Sequence, residues 1–122
     1  MFEKENTTWL LYSRLPSPAV PPHLAKIADR IDSKIKKAID DAWRRAHGDI
    51  CKPTRGCISV YIGVDQDGAI SYEAFFSDYL GLWGEAHDKL PPLIERLMAK
   101  TQFAKDCRTM ADAIRKNPES FQ

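Results

Sequence analysis

Two runs of alternating residues separated by four turn formers limit this fold more than any other feature of the sequence. In 57–64, Ile58, Val60, Ile62 and Val64 point one way, and Cys57, Ser59, Tyr61 and Gly63 the other. In 69–77 the pattern repeats, with Ile70, Tyr72, Ala74 and Phe76 on one face. Period two with β-branched residues on one side is the mark of a half-buried strand. Between the runs lie Asp65, Gln66, Asp67 and Gly68, whose Asp-Gly step supplies the positive φ that a tight turn requires. These four residues are therefore read as a hairpin turn.

The same stretch resembles half of a calcium loop. With Gly68 at the sixth, glycine position, Asp65 and Asp67 fall on the third and fifth positions and Ile70 on the eighth. The first position is then Gly63 and the twelfth Ala74, so neither supplies an oxygen, and Glu73 stands one residue too early. The flanks read as strands rather than helices. No metal is expected here, and no cofactor anywhere in the chain.

Upstream, residues 23–45 carry a helical stripe. Leu24, Ala28, Ile31, Ile35, Ala38 and Ala42 recur at steps of three and four, widened by Ile27, Ile39 and Trp43. Pro22 suits the first helical turn and Gly48 a C-terminal cap. The stripe is alanine-rich and short for a coiled coil, so it is expected to pack on the sheet, and the chain to be a monomer. Before it, 1–22 is a proline-rich arm in which Pro16, Pro18, Pro21 and Pro22 exclude a helix and Thr7 to Tyr12 form a short extended segment.

Downstream of the hairpin, 78–84 is read as a loop covering one end of the core. A second helix is expected over 88–100, firm from about Pro91 and Pro92, with Leu93, Ile94, Leu97 and Met98 on one face. Thr101, Gln102 and Phe103 interrupt it. A third helix follows over 105–116 with Cys107, Met110, Ala111 and Ile114 inward, ended by Asn117-Pro118. The last residues are read as a short strand added to the hairpin. The expected fold is α+β in the order α-β-β-α-α-β. A small antiparallel sheet, the hairpin plus a short C-terminal strand, has helices on one face, and 23–122 is a single domain.

Composition fits a soluble globular chain of 122 residues, 43% hydrophobic and 29% charged. A net charge of +1 gives no global reason to bind nucleic acid or a membrane. The basic residues of the first helix are interleaved with Asp29, Asp32, Asp40 and Asp41, the pattern of a solvated face. Apolar runs such as Trp9 to Tyr12 are shorter than the ~20 residues of a spanning helix or the ~7 of a signal-peptide core, so neither is expected here.

Three cysteines, Cys51, Cys57 and Cys107, leave at least one thiol unpaired within a monomer and have no zinc-site spacing. Among groups that do chemistry, Glu85-x-His87-Asp88 is the densest cluster, but Asp88 sits where a helix cap belongs. Cys51 and Cys57 have Lys52 and Arg55 nearby and no paired histidine. Gly81-x-x-Gly84 lacks the context of a phosphate loop. Catalysis is not expected.

The run Ile31-x3-Ile35-x3-Ile39-x3-Trp43, then Cys57-x-x-Val60-x-Ile62-x-Val64-x-x-Asp67-Gly68-x-Ile70, resembles the C-terminal domain of the TonB/TolA energy-transducing proteins. The end, Met110 through Lys116-Asn117-Pro118 to Phe121, is similar to the TolA type, and the likeness spans about residues 24–121. In the TolA type a cysteine at the start of the first strand is bridged to a helix. Cys57 matches that strand position, but no cysteine precedes the second helix, which leaves Cys51 or Cys107 as partners in a different geometry. The resemblance implies a non-catalytic, periplasmic, cell-envelope adaptor that binds an extended protein segment by strand addition at the sheet edge. Pro118, Glu119, Ser120 and Phe121 of the final strand would form that edge. The rival expectation is a small cytoplasmic binding protein of similar form, such as an immunity protein, antitoxin or secretion chaperone.

Overall fold

The computed structural model describes residues 7–11, 20–48, 58–76 and 86–121. They form an α+β structure of three helices and a three-stranded antiparallel sheet. Strand β1 is Thr8–Leu11, helix α1 Ala25–His47, β2 Ile58–Val64, β3 Ile70–Phe76, α2 Leu90–Met98 and α3 Thr101–Lys116. The order helix, hairpin, helix, helix agrees with the sequence reading.

β2 is the middle strand. It pairs with β3 from Ile58↔Phe76 to Val64↔Ile70, and with β1 from Thr8↔Val64 to Leu11↔Tyr61. Its alternation is realised: Ile58, Val60 and Ile62 are fully buried and Val64 nearly so. Leu10 of β1 stands opposite Ile62 and joins the same core.

α1 buries Ile31, Ile35 and Ile39 to 1% exposure, each placed by the three- and four-residue steps of its stripe. Full burial of such a side chain contributes roughly 1.5–3 kcal/mol. The helix enters through a 3₁₀ turn at Pro22–Leu24. It ends at Gly48, whose φ of 72° no β-carbon has to accommodate and whose N–H donates to the Arg44 carbonyl at 2.8 Å. α1 packs against both other helices, and α3 reaches β1 and β2.

Three expectations are corrected. The third strand comes from the arm, Thr8–Leu11, and not from the C-terminus. Pro118–Phe121 is a 3₁₀ turn, closed by the Ser120 N–H on the Asn117 carbonyl at 3.1 Å. Asn117 stops α3 at φ −150°, and the following proline, with its φ fixed near −65°, starts the turn that curls the chain back onto α3. The interruption between α2 and α3 is also shorter than expected. Lys100 alone is extended, at ψ 127°, and Thr101, Gln102 and Phe103 are the first turn of α3.

On the far face of the sheet, Trp9 lies over Gly63. A β-carbon there would stand 2.9 Å from the Trp9 ring and 3.0 Å from the Thr7 methyl. Gly63→Val is therefore expected to cost about 1–3 kcal/mol by overpacking, despite the better strand propensity of valine. Urea unfolding followed by circular dichroism measures this, and a variant as stable as the parent would show that Trp9 does not seat on this strand.

Candidate functional site

The hairpin turn is held from two sides. The Asp65 carbonyl accepts from the Gly68 N–H at 3.0 Å, and the Asp65 N–H donates to the Ala69 carbonyl at 3.0 Å. With Gly68 at φ 84°, this is the bonding of a four-residue turn followed by a G1 bulge. The Asp65 carboxylate accepts from the N–H groups of Asp67 at 2.9 Å and Ala69 at 2.8 Å, so it serves the backbone of the turn. From α3, Arg108 Nε donates to the Gly68 carbonyl at 2.8 Å, and Arg115 donates to the Val64 carbonyl. Among the described residues, no three His, Cys, Asp or Glu side chains converge as a metal site would require.

That turn fixes which backbone groups of β3 face outward. Antiparallel ladders alternate between bonded and non-bonded pairs. Counting from Asp65–Ala69, the residues bonded to β2 are Ser71, Glu73 and Phe75. The N–H and C=O groups of Ile70, Tyr72, Ala74 and Phe76 then point away from β2. Among the described residues no strand pairs with that side. The core-facing side chains of β3 are half-buried where those of β2 are fully buried. Phe75, 48% exposed on the other face, meets Tyr61 edge-on at 5.6 Å between ring centroids. The Tyr72 hydroxyl titrates above its ordinary range, chiefly because burial disfavours the phenolate and secondarily because Glu95 is near.

The residues expected to bind a partner lie elsewhere. Pro118, Glu119 and Ser120 are exposed and Phe121 half-buried, at the end of α3 and outside the sheet. Ser120 and Phe121 line a cleft of about 510 Å³ with Pro21, His23 and Leu24 from the entry to α1. They add no strand, and the edge they were expected to supply belongs to β3.

Of the groups considered for catalysis, Glu85, Cys51 and Cys57 lie outside the described residues, as does the loop 78–84. His87 and Asp88 are exposed, and His87 stacks on Phe76 at 3.9 Å between ring centroids. α2 begins without a side-chain cap, so Asp88 does not play the capping part expected of it. Cys107 is a free, fully buried thiol, pushed up to about 12 first by burial and then by the Asp106 carboxylate.

One ion pair was not anticipated. Arg30 of α1 grips Asp106 of α3 with two hydrogen bonds, 2.9 and 2.8 Å, and Gln102 adds a third at 2.9 Å. The Asp106 side chain is 6% exposed and that of Arg30 47%. The Arg30 hydrogen bonds hold the carboxyl below its ordinary range, against the opposing effect of burial. Residues 76 positions apart carry no joint signal in sequence spacing.

Comparison with protein-family models, curated proteins and solved structures finds no match to this chain.

Two outcomes are expected. Because the folded pKa of Asp106 is depressed, its stabilisation is present above the unfolded carboxyl's pKa, about 3.9, and is lost as pH falls through the lower folded value. Asp106→Asn should thus be less stable than the parent at neutral pH, with the gap closing at acid pH; a gap constant across a pH series of urea melts would contradict the pairing. Cys107 should resist iodoacetamide in the native protein at mildly alkaline pH and react once the chain is unfolded in urea, as read by peptide mass spectrometry. Labelling in the native state would place the thiol at the surface.

Proposed function

We propose that this chain is a non-catalytic protein-binding domain that takes up an extended partner segment on the outer edge of β3. The seven-residue edge of β3, unpaired among the described residues, carries the reading. A strand added there would find four residues' outward N–H and C=O groups on one side, and half-buried Ile70, Tyr72, Ala74 and Phe76 to complete the core beneath it. Exposed strand edges ordinarily carry a guard against unwanted pairing, and β3 has Glu73 near its centre. In a two-fold antiparallel pair centred on that residue, two copies would set like charges directly opposite. That favours a different chain as partner over a second copy.

The resemblance to the C-terminal domain of the TonB/TolA proteins supports the same mode of binding and proposes a setting, an adaptor of the periplasm and cell envelope. The edge in this proposal is β3, in place of the C-terminal segment.

The test is a ¹⁵N-resolved titration with an uncharged peptide of alternating valine and threonine. Amides of Ile70, Tyr72, Ala74 and Phe76 are expected to shift first. Ala74→Pro removes an outward N–H without taking a bond from the β2 ladder, so the variant should fold and lose the shifts. Shifts confined to α1, or binding unchanged in the proline variant, would sink the proposal.

A further inference from the structure

A surface in the helix layer carries chemistry that strand addition does not use. Between α1 and α2 runs an open groove of about 150 Å³ with an apolar floor of Ala38, Leu93 and Leu97. Lys34 and Lys37 of α1 stand on one bank, and Arg96 of α2 and Lys100, just beyond its C-terminal end, on the other. Among the described residues the groove has one carboxylate, Asp41, already shared by Lys37 at 3.2 Å and Arg44 at 3.3 Å. The side chains of Lys34, Arg96 and Lys100 make no hydrogen bond or ion pair with any described residue.

The arrangement is unfavourable as it stands. Like charges three positions apart on a helix repel, as Lys34 and Lys37 do, and Arg96 and Lys100 add two positive charges on the facing bank. Docking α2 beside α1 sets the two pairs facing each other across the groove. Glu95, the acidic residue of α2, is not among the residues lining the groove and is near enough to Tyr72 of β3 to raise its pKa. What would neutralise the banks must bring carboxylates or other anions up both sides and apolar groups to the middle.

The shape decides among anionic ligands. Each bank extends about one helical turn, and the floor offers side-chain carbon and no aromatic ring. Single-stranded nucleic acid binds by stacking on aromatic side chains, which this floor lacks. A small anion would satisfy one bank and leave the apolar floor wet. A helix with an apolar stripe flanked on both sides by Asp and Glu matches floor and banks together, the helix-in-groove mode of recognition.

We infer that the α1–α2 groove docks an acidic amphipathic helix of a protein partner. The inference is independent of strand addition at β3, which lies in the sheet.

The probe is a synthetic, fluorescein-labelled helical peptide with leucines on one stripe and glutamates along both flanks, read by fluorescence anisotropy. The control has glutamine at every glutamate. The glutamate peptide should bind, more weakly as salt is raised, and the glutamine peptide should bind far more weakly. The pair Lys34→Glu and Lys100→Glu should raise the Kd roughly tenfold, and Lys34→Arg with Lys100→Arg should leave it near the parent value. Both positions are exposed, and far-ultraviolet circular dichroism checks that each variant is folded. Equal affinity for the two peptides, or a Kd unmoved by charge reversal, overturns the inference. So does failure of the glutamate peptide to bind while phosphatidylglycerol vesicles do, in a manner the same reversal abolishes.

Discussion

Everything in this molecule is built on the double burial of β2. Its inner face is sealed beneath the helices, and its backbone is laddered to β3 on one side and β1 on the other. A strand so enclosed has one workable register, because a slip of a single residue would turn Ser59, Tyr61 and Gly63 into the core and Ile58, Val60, Ile62 and Val64 out of it. Fixing β2 also fixes where the sheet stops. The strands on either side become its edges, and the longer of the two is the one that the hairpin turn presents.

α3 translates that arrangement to the helix layer. Arg108 and Arg115 hold carbonyls at the hairpin end, while Asp106, two residues before Arg108, is gripped from α1. One helix therefore bonds the turn, the central strand and α1 through charged groups aimed at specific acceptors. Hydrophobic burial supplies most of the driving force, but it is non-directional. These polar contacts set the azimuth of α3, and with it the positions of the strands and helices around it.

How much of this was legible in the sequence depends on the distance over which each signal acts. The stripe of Ile31, Ile35 and Ile39 and the alternation of Ile58 to Val64 are local, and both read correctly. Gly68 announced its positive φ through the Asp-Gly step. The third strand was misplaced because Thr8-Trp9-Leu10-Leu11 is only four residues long and does not alternate cleanly; its pairing partner, not its pattern, makes it a strand. The tail gave the opposite error, since Ser120 and Phe121 suit extended structure but Asn117 and Pro118 turn the backbone first. The charges followed the same rule. Along α1 the lysines are balanced by aspartates and look like a solvated face. Only when α2 docks do Lys34 and Lys37 find themselves opposite Arg96 and Lys100. The Arg30–Asp106 grip was likewise invisible, because spacing says nothing about residues that meet across two helices.

The remote origin of β1 has a consequence for how the sheet assembles. β3 reaches β2 across a turn of a few residues, whereas β1 pairs with residues about fifty positions further along the chain. Closing the short loop loses little chain entropy, and closing the long one loses more and orders nothing until the hairpin exists to receive it. The hairpin is thus the template and β1 the late arrival. A β2 edge awaiting a strand does not distinguish the Thr8–Leu11 segment of its own molecule from that of another. The fold carries the topological precondition for strand exchange between molecules, and protein concentration sets the balance between closing within one chain and closing between two.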